Sequence, residues 1–133
     1  MGLFKEYKTN ATDEEDGKWN GNFRGGVRVK IRSMQSKAAK AAQDRINKRT
    51  AKYHKTGAPV PVAVQKKNEV EMAIAITADW ENVDNAAGAI MPFTEEAAKA
   101  IYGELWEFRQ EVIGYAATAD AYRDGEEAEE EKN

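Results

Sequence analysis

The sequence predicts an α+β fold, mainly α: a short N-terminal β-hairpin followed by three helices, the last long and amphipathic. Three observations carry this. Val27, Val29 and Ile31 alternate with Arg28, Lys30 and Arg32 at the period of a half-buried strand. Residues 36–54 are rich in Ala and Lys and hold neither proline nor glycine. From Ala98 onward, Ile101, Leu105, Phe108, Val112, Tyr115, Ala119 and Tyr122 recur at spacings of three and four, the period of one helix face.

The elements follow in chain order. Leu3–Tyr7 offers at most a weak strand, and Thr9–Asp16 reads as a polar, acidic loop. The hairpin spans about residues 18–32, with Gly25-Gly26 making the turn. Ser33 or Ser36 can cap the first helix, about 36–54, whose thin apolar stripe is Ala38, Ala42, Ile46 and Tyr53. That stripe buries little, so the helix is expected on the outside of the domain. Gly57, Pro59 and Pro61 end it and hold the next stretch extended. Residues 65–80 alternate like a strand at Met72, Ile74 and Ile76 but have helix-forming neighbours; they read as a buried helix anchored by Trp80. An Asn/Asp/Gly-rich loop follows.

The last helix, about 95–122, has the clearest start. Thr94 stands as a cap before Glu95 and Glu96, with Phe93 placed to staple back onto Ala98. Tyr102, Trp106 and Ile113 widen its stripe, giving one side for the core and one for a partner. Gly103 and Gly114 each cost about 1 kcal/mol against Ala in a helix interior, which predicts a close approach there. The 133 residues, 41% apolar and 32% charged, suit one domain over 1–122 and an acidic, flexible tail over 123–133. A chain of this size buries roughly two-thirds of its unfolded surface and needs no disulfide or metal staple.

What is missing narrows the chemistry. Without cysteine there is no thiolate nucleophile, iron-sulfur cluster or cysteine zinc site. The only imidazole, His54, falls near a helix end and would need three carboxylates to complete a zinc site. Gly21, Gly25 and Gly26 make neither a dinucleotide fingerprint nor a phosphate loop, and Asp13–Gly17 does not register as a calcium loop. Arg24-Gly25-Gly26 is a single RGG, read as a turn. Glu104, Glu107 and Glu111 share helical spacing but have no histidine partner, so they read as a solvated face. No catalytic, cofactor or metal residues are assigned, and no enzyme activity is expected. Lys5, Glu6 and Lys8 at the N-terminus exclude a signal-peptide reading, and Glu6 spoils a myristoylation motif. No apolar run approaches a membrane span, so no membrane partner and a cytoplasmic location are expected.

Charge is sorted along the chain. Residues 24–67 hold thirteen basic groups against Asp44 alone, while residues 68–133 hold seventeen acidic against four basic. One reading is a nucleic-acid module whose basic face is Arg28, Lys30, Arg32, Lys37, Lys40, Arg45, Lys48, Arg49 and Lys52. Another is complementarity between the halves, within a molecule or between neighbours. The second is favoured, because any phosphate must compete with the protein's own carboxylates.

Two stretches together resemble the small tail assembly chaperones of long-tailed bacteriophages. One is Gly17-Lys18-Trp19 with Val27-Arg28-Val29-Lys30-Ile31-Arg32-Ser33 and Ser36. The other is Trp80-Glu81-Asn82-Val83, the turn, Pro92-Phe93-Thr94-Glu95-Glu96-Ala97, the amphipathic helix and the acidic close at Lys132-Asn133. The resemblance implies a non-enzymatic protein of the host cytoplasm, absent from the finished virion, that self-associates. It implies binding to the tape measure protein, which it keeps soluble and extended, and recruitment of tail tube protein. Ala38, Ala39, Ala41 and Ala42 depart from the leucine-rich face associated with the family, which bears on self-association. No separable extension of the kind some of these chaperones gain by ribosomal frameshifting is read, as expected of a short form. The partner surface expected on this reading is Tyr102, Trp106, Ile113 and Tyr115 beside Glu104, Glu107 and Glu111. A structural virion protein, such as a head-tail connector or tail terminator, is the remaining alternative.

Overall fold

The computed structural model describes residues 2–124. Helices α1 (Leu3–Tyr7) and α2 (Ala11–Asp16) lead into strand β1 (Lys18–Asn20), a 3-10 turn at Arg24–Gly26, and strand β2 (Arg28–Ile31). Helices α3 (Lys37–Thr56) and α4 (Val62–Ile76) precede strand β3 (Thr77–Glu81). Helices α5 (Glu95–Glu104) and α6 (Trp106–Ala116) and a 3-10 turn at Ala119–Tyr122 complete the described chain. The α+β, mainly α class read from the sequence is the class observed.

The strands form one antiparallel sheet in the order β1-β2-β3. Val29 and Ile31 of the central strand are fully buried, while Arg28 is exposed, as the alternation requires. Helix α4 is the hub on which α3, α5 and α6 all pack, and α6 also touches β2. Helix α3 lies outermost and buries only Ala39, Ala42, Ile46 and Thr50; Ala38 and Tyr53 of the expected stripe are half-buried. Ser36 caps it by accepting the Ala39 N–H at 3.2 Å, and Gly57 ends it in the left-handed region at φ 70°.

Three sequence expectations are corrected. Leu3–Tyr7 and most of Thr9–Asp16 are short helices, the second started by Asn10, whose side chain accepts the Asp13 N–H at 3.0 Å. Residues 77–80 are strand, not the end of the preceding helix. A bulge opposite Lys30 and Ile31 inserts an extra residue into β3, so Thr77 and Trp80 both face inward although three apart. That spacing imitates a helix. The helix expected over 95–122 is broken at Leu105, where φ is −101° and ψ 79°. The tail from residue 125 onward lies outside the described residues.

An aromatic ladder fills the space between sheet and helices. Phe93 meets Trp80 edge to face at 5.0 Å, Trp80 meets Tyr102 at 5.8 Å, Tyr102 stacks on Phe108 at 5.4 Å, and Phe108 meets Phe23 at 5.4 Å. Each such pair adds about 0.5–1.5 kcal/mol beyond area burial. The Trp80 indole N–H donates to the Met91 carbonyl at 2.8 Å, tying the long loop to β3.

Candidate protein-docking site

The break at Leu105 has a physical cause in what it brings together. On an unbroken helix, Tyr102 and Phe108 would be turned about 120° apart and separated by about 9 Å of rise. The break lets their rings stack at 5.4 Å and 22°. It also deprives the Tyr102 carbonyl of the helical donor four residues on. Arg109 supplies that bond: its Nη1 donates to the Tyr102 carbonyl at 2.6 Å, while its Nε donates to Glu69 Oε1 at 3.1 Å. The guanidinium is nearly buried, held between α4 and the corner. Tyr102 is locked from the other end, with its hydroxyl 2.7 Å from that of Thr77. Burial pushes the Tyr102 phenol well above its ordinary range, against the opposing effect of the Thr77 bond, so it stays neutral.

The same break pushes Leu105 and Trp106 into solvent at 48% and 65% exposure. They stand on an open groove of about 550 Å³ whose apolar wall is Val27, Val83, Ile101 and Phe108. Asp84, Glu104, Glu107 and Glu111 line its rim, with Arg24 placed 3.4 Å from Glu107. That ion pair is largely open to water and holds the rim only weakly. Exposed large apolar side chains on a scaffold pinned by buried hydrogen bonds make a preformed protein-docking surface with acidic edges.

Of the four residues expected at a partner surface, the structure brings one to solvent. Trp106 is on the groove. Tyr102 is fully buried, which corrects its assignment: it serves the core. Ile113 and Tyr115 are half-buried on α6, with Tyr115 edge to face on Tyr122 at 5.8 Å. Leu105 is the residue that stripe counting misses, because a continuous helix would have placed it inward. The expected close approach to Gly103 and Gly114 is also corrected, since a Cβ on either would meet nothing within 4 Å.

The basic segment divides by residue type. Arg28 pairs with Glu81 at 3.0 Å and lies over the Trp19 ring at 4.9 Å. Arg45 and Arg49 both hold Glu71, at 2.7 and 2.6 Å. Arg32 donates to the Ala75 and Thr77 carbonyls at 3.1 Å each. Lys30 is half-buried beside Gly17. Lys37, Lys40, Lys48 and Lys52 are exposed along α3, where Lys52 lies 5.1 Å from the Tyr53 ring. Arg32, Arg45 and Arg49 thus serve the fold, and the charge sorted along the chain is in part spent inside the molecule. His54 is exposed in the last turn of α3, and no cluster of metal-ligating side chains occurs among the described residues. No described helix is long and apolar enough to cross a membrane.

The sequence model of one protein family, the YdaY prophage protein, matches residues 34–133. The chain belongs to that family. No curated protein and no solved structure matches it. The matched part of the chain runs from just after β2 and contains α3, α4, β3 and the whole Leu105–Trp106 corner. The matched part supplies the groove's Val83, Ile101, Leu105, Trp106 and Phe108, while Val27 and Arg24 lie before it.

Proposed function

We propose that this prophage protein is a tail assembly chaperone, acting by binding rather than catalysis. It binds the tape measure protein, keeps it soluble and extended, and recruits tail tube subunits in the host cytoplasm before leaving the finished particle. The observation that carries this reading is the rigid corner that holds Leu105 and Trp106 in solvent above an apolar groove. A holdase needs apolar surface that water tolerates, and the carboxylates around the groove supply that tolerance. Membership of a prophage family and the resemblance of Gly17–Ser36 and Trp80–Asn133 to small tail chaperones support the same reading.

The test is co-expression with the tape measure protein of the same prophage, scoring its soluble yield and the mass of the complex. Rescue in a salt-resistant complex is expected, and Trp106→Ala lowers the yield while leaving the melting temperature of the protein itself within a few degrees. No rescue, with a salt-sensitive shift of a DNA probe instead, would transfer the function to Lys37, Lys40, Lys48 and Lys52. Recovery of the protein in purified particles at ring stoichiometry would make it a structural component.

A further inference from the structure

We infer that two copies of this chain exchange α6 and the turn after it, each straightening Glu95–Ala116 into one continuous helix across Leu105. The break is a single residue and holds no helix breaker, since positions 104–107 read Glu-Leu-Trp-Glu. Neither helix is well terminated there. Helix α5 ends on Leu105 at φ −101° rather than on a left-handed glycine. Helix α6 starts from the same leucine, with no side chain accepting its first N–H groups. Ile101, Leu105, Phe108 and Val112 keep helical spacing straight through the break. The local sequence asks for one helix, and the packing imposes two.

What enforces the bend is burial beyond it. Helix α6 buries Arg109, Val112 and Ala116 as it packs on α4 and β2. The Ala116 carbonyl accepts the Met34 N–H at 2.9 Å, and the buried Tyr122 hydroxyl donates to the Ile31 carbonyl at 2.9 Å. A lone molecule that straightened would lose all of these contacts. Two that straighten together lose none, because α6 of each enters the place vacated by the other. The occupant is a second copy, since only this chain carries the segment that fits that place.

Exchange also removes what the bend costs. The N–H groups of residues 106–108, which open α6 without helical acceptors, gain them in a continuous helix. Leu105 leaves a corner where it is 48% exposed and joins the face that carries Ile101 and Phe108. A reciprocal exchange closes with two-fold symmetry and stops at the dimer. Since the corner that holds Trp106 in solvent is dismantled, the dimer is a form from which that docking surface is withdrawn. The exchange goes beyond the chaperone reading and does not rest on it, since its test contains no client.

The experiment refolds the full chain from urea at about 10 μM and at about 1 mM and reads mass by sedimentation velocity, a range set by weak association. A dimer is expected at the higher concentration, and it persists on dilution because leaving it requires α6 to unpack. The chain has no cysteine, so Tyr7→Cys with Arg123→Cys introduces a unique thiol pair where the Tyr7 ring and the Arg123 guanidinium lie 5.8 Å apart. A short bismaleimide joins that pair within one chain in the monomer and between two chains in the exchanged dimer, as denaturing electrophoresis reads. Trp106→Pro suits the first position of α6 but breaks a continuous helix, so it stays monomeric. Leu105→Asp offers α6 the cap it lacks and burdens the helix interior. It weakens the dimer about tenfold, and it decides the matter if the proline variant does not fold. Monomer alone at both concentrations would overturn the inference, as would a dimer whose thiol pair is bridged within each chain. So would a folded Trp106→Pro or Leu105→Asp variant that dimerises as readily as the parent.

Discussion

Gly17 and Arg109 show how single residues hold this architecture in place. Gly17 is buried at φ +97°, and a Cβ there would stand 3.1 Å from Lys30 Cγ and 3.2 Å from Ala78 Cβ. Both the backbone region and the space ask for glycine, so Gly17→Ala is expected to cost about 1–3 kcal/mol, read as a drop in urea midpoint with unchanged slope. Arg109 is the cation that replaces a lost helical hydrogen bond. Arg109→Met keeps most of the packing but leaves the Tyr102 carbonyl without a donor and Glu69 without its cation. A loss of about 2–4 kcal/mol is expected, less than for a fully buried pair because Glu69 stays partly hydrated. A loss below about 0.5 kcal/mol by the same assay would mean that the corner holds without its guanidinium. Nothing in the sequence marks this arginine, since its partners come from α4 and from a carbonyl freed only by the break.

At the scale of elements, what local chemistry controls was readable and what pairing controls was not. Ser36 and Thr94 cap as their positions imply, Thr94 accepting the Ala97 N–H at 3.0 Å, and the alternation over Val27–Arg32 gives the central strand. Strand β3 was hidden because its two inward residues owe their spacing to a bulge against β2, which no window of β3 alone contains. The break at Leu105 was hidden because the apolar stripe runs through it without interruption. Trp106 was legible as a surface aromatic, yet Tyr102 beside it was misplaced, since the rotation between α5 and α6 decides which of the two faces water. Gly114 gives a clean test of α6. It is exposed, helical and open to a Cβ, so Gly114→Ala is expected to stabilise by about 0.5–1 kcal/mol through lost freedom of the unfolded chain. Destabilisation in the isolated protein would show that α6 needs the freedom of glycine there.

For the whole molecule, the decisive feature is that a basic first half folds onto an acidic second half. Arg28 reaches Glu81, Arg24 reaches Glu107, and Arg45 and Arg49 converge on Glu71 across the α3–α4 packing. The first two pairs are solvated and contribute little, so the electrostatic weight rests on Glu71, which is only 20% exposed. Burial pushes the Glu71 carboxyl up, but the hydrogen bonds and charges of Arg49 and Arg45 together outweigh it and hold the group below its ordinary value of 4.5. A carboxylate whose folded pKa is depressed contributes stability that is complete well above the unfolded value. It is lost as pH falls below about 4.5 and through the folded pKa. Glu71→Gln removes the titration while keeping the shape. At pH 7 the variant should therefore be less stable by about 1–2 kcal/mol, the scale of a charge-assisted hydrogen bond. The gap to the parent should close as pH falls from about 4.5 through the depressed folded pKa, because protonation brings the parent to the same neutral state. Urea midpoints of both proteins across that range decide the matter. No gap at any pH would show that the Arg45 and Arg49 pairs with Glu71 contribute nothing to holding α3 on α4.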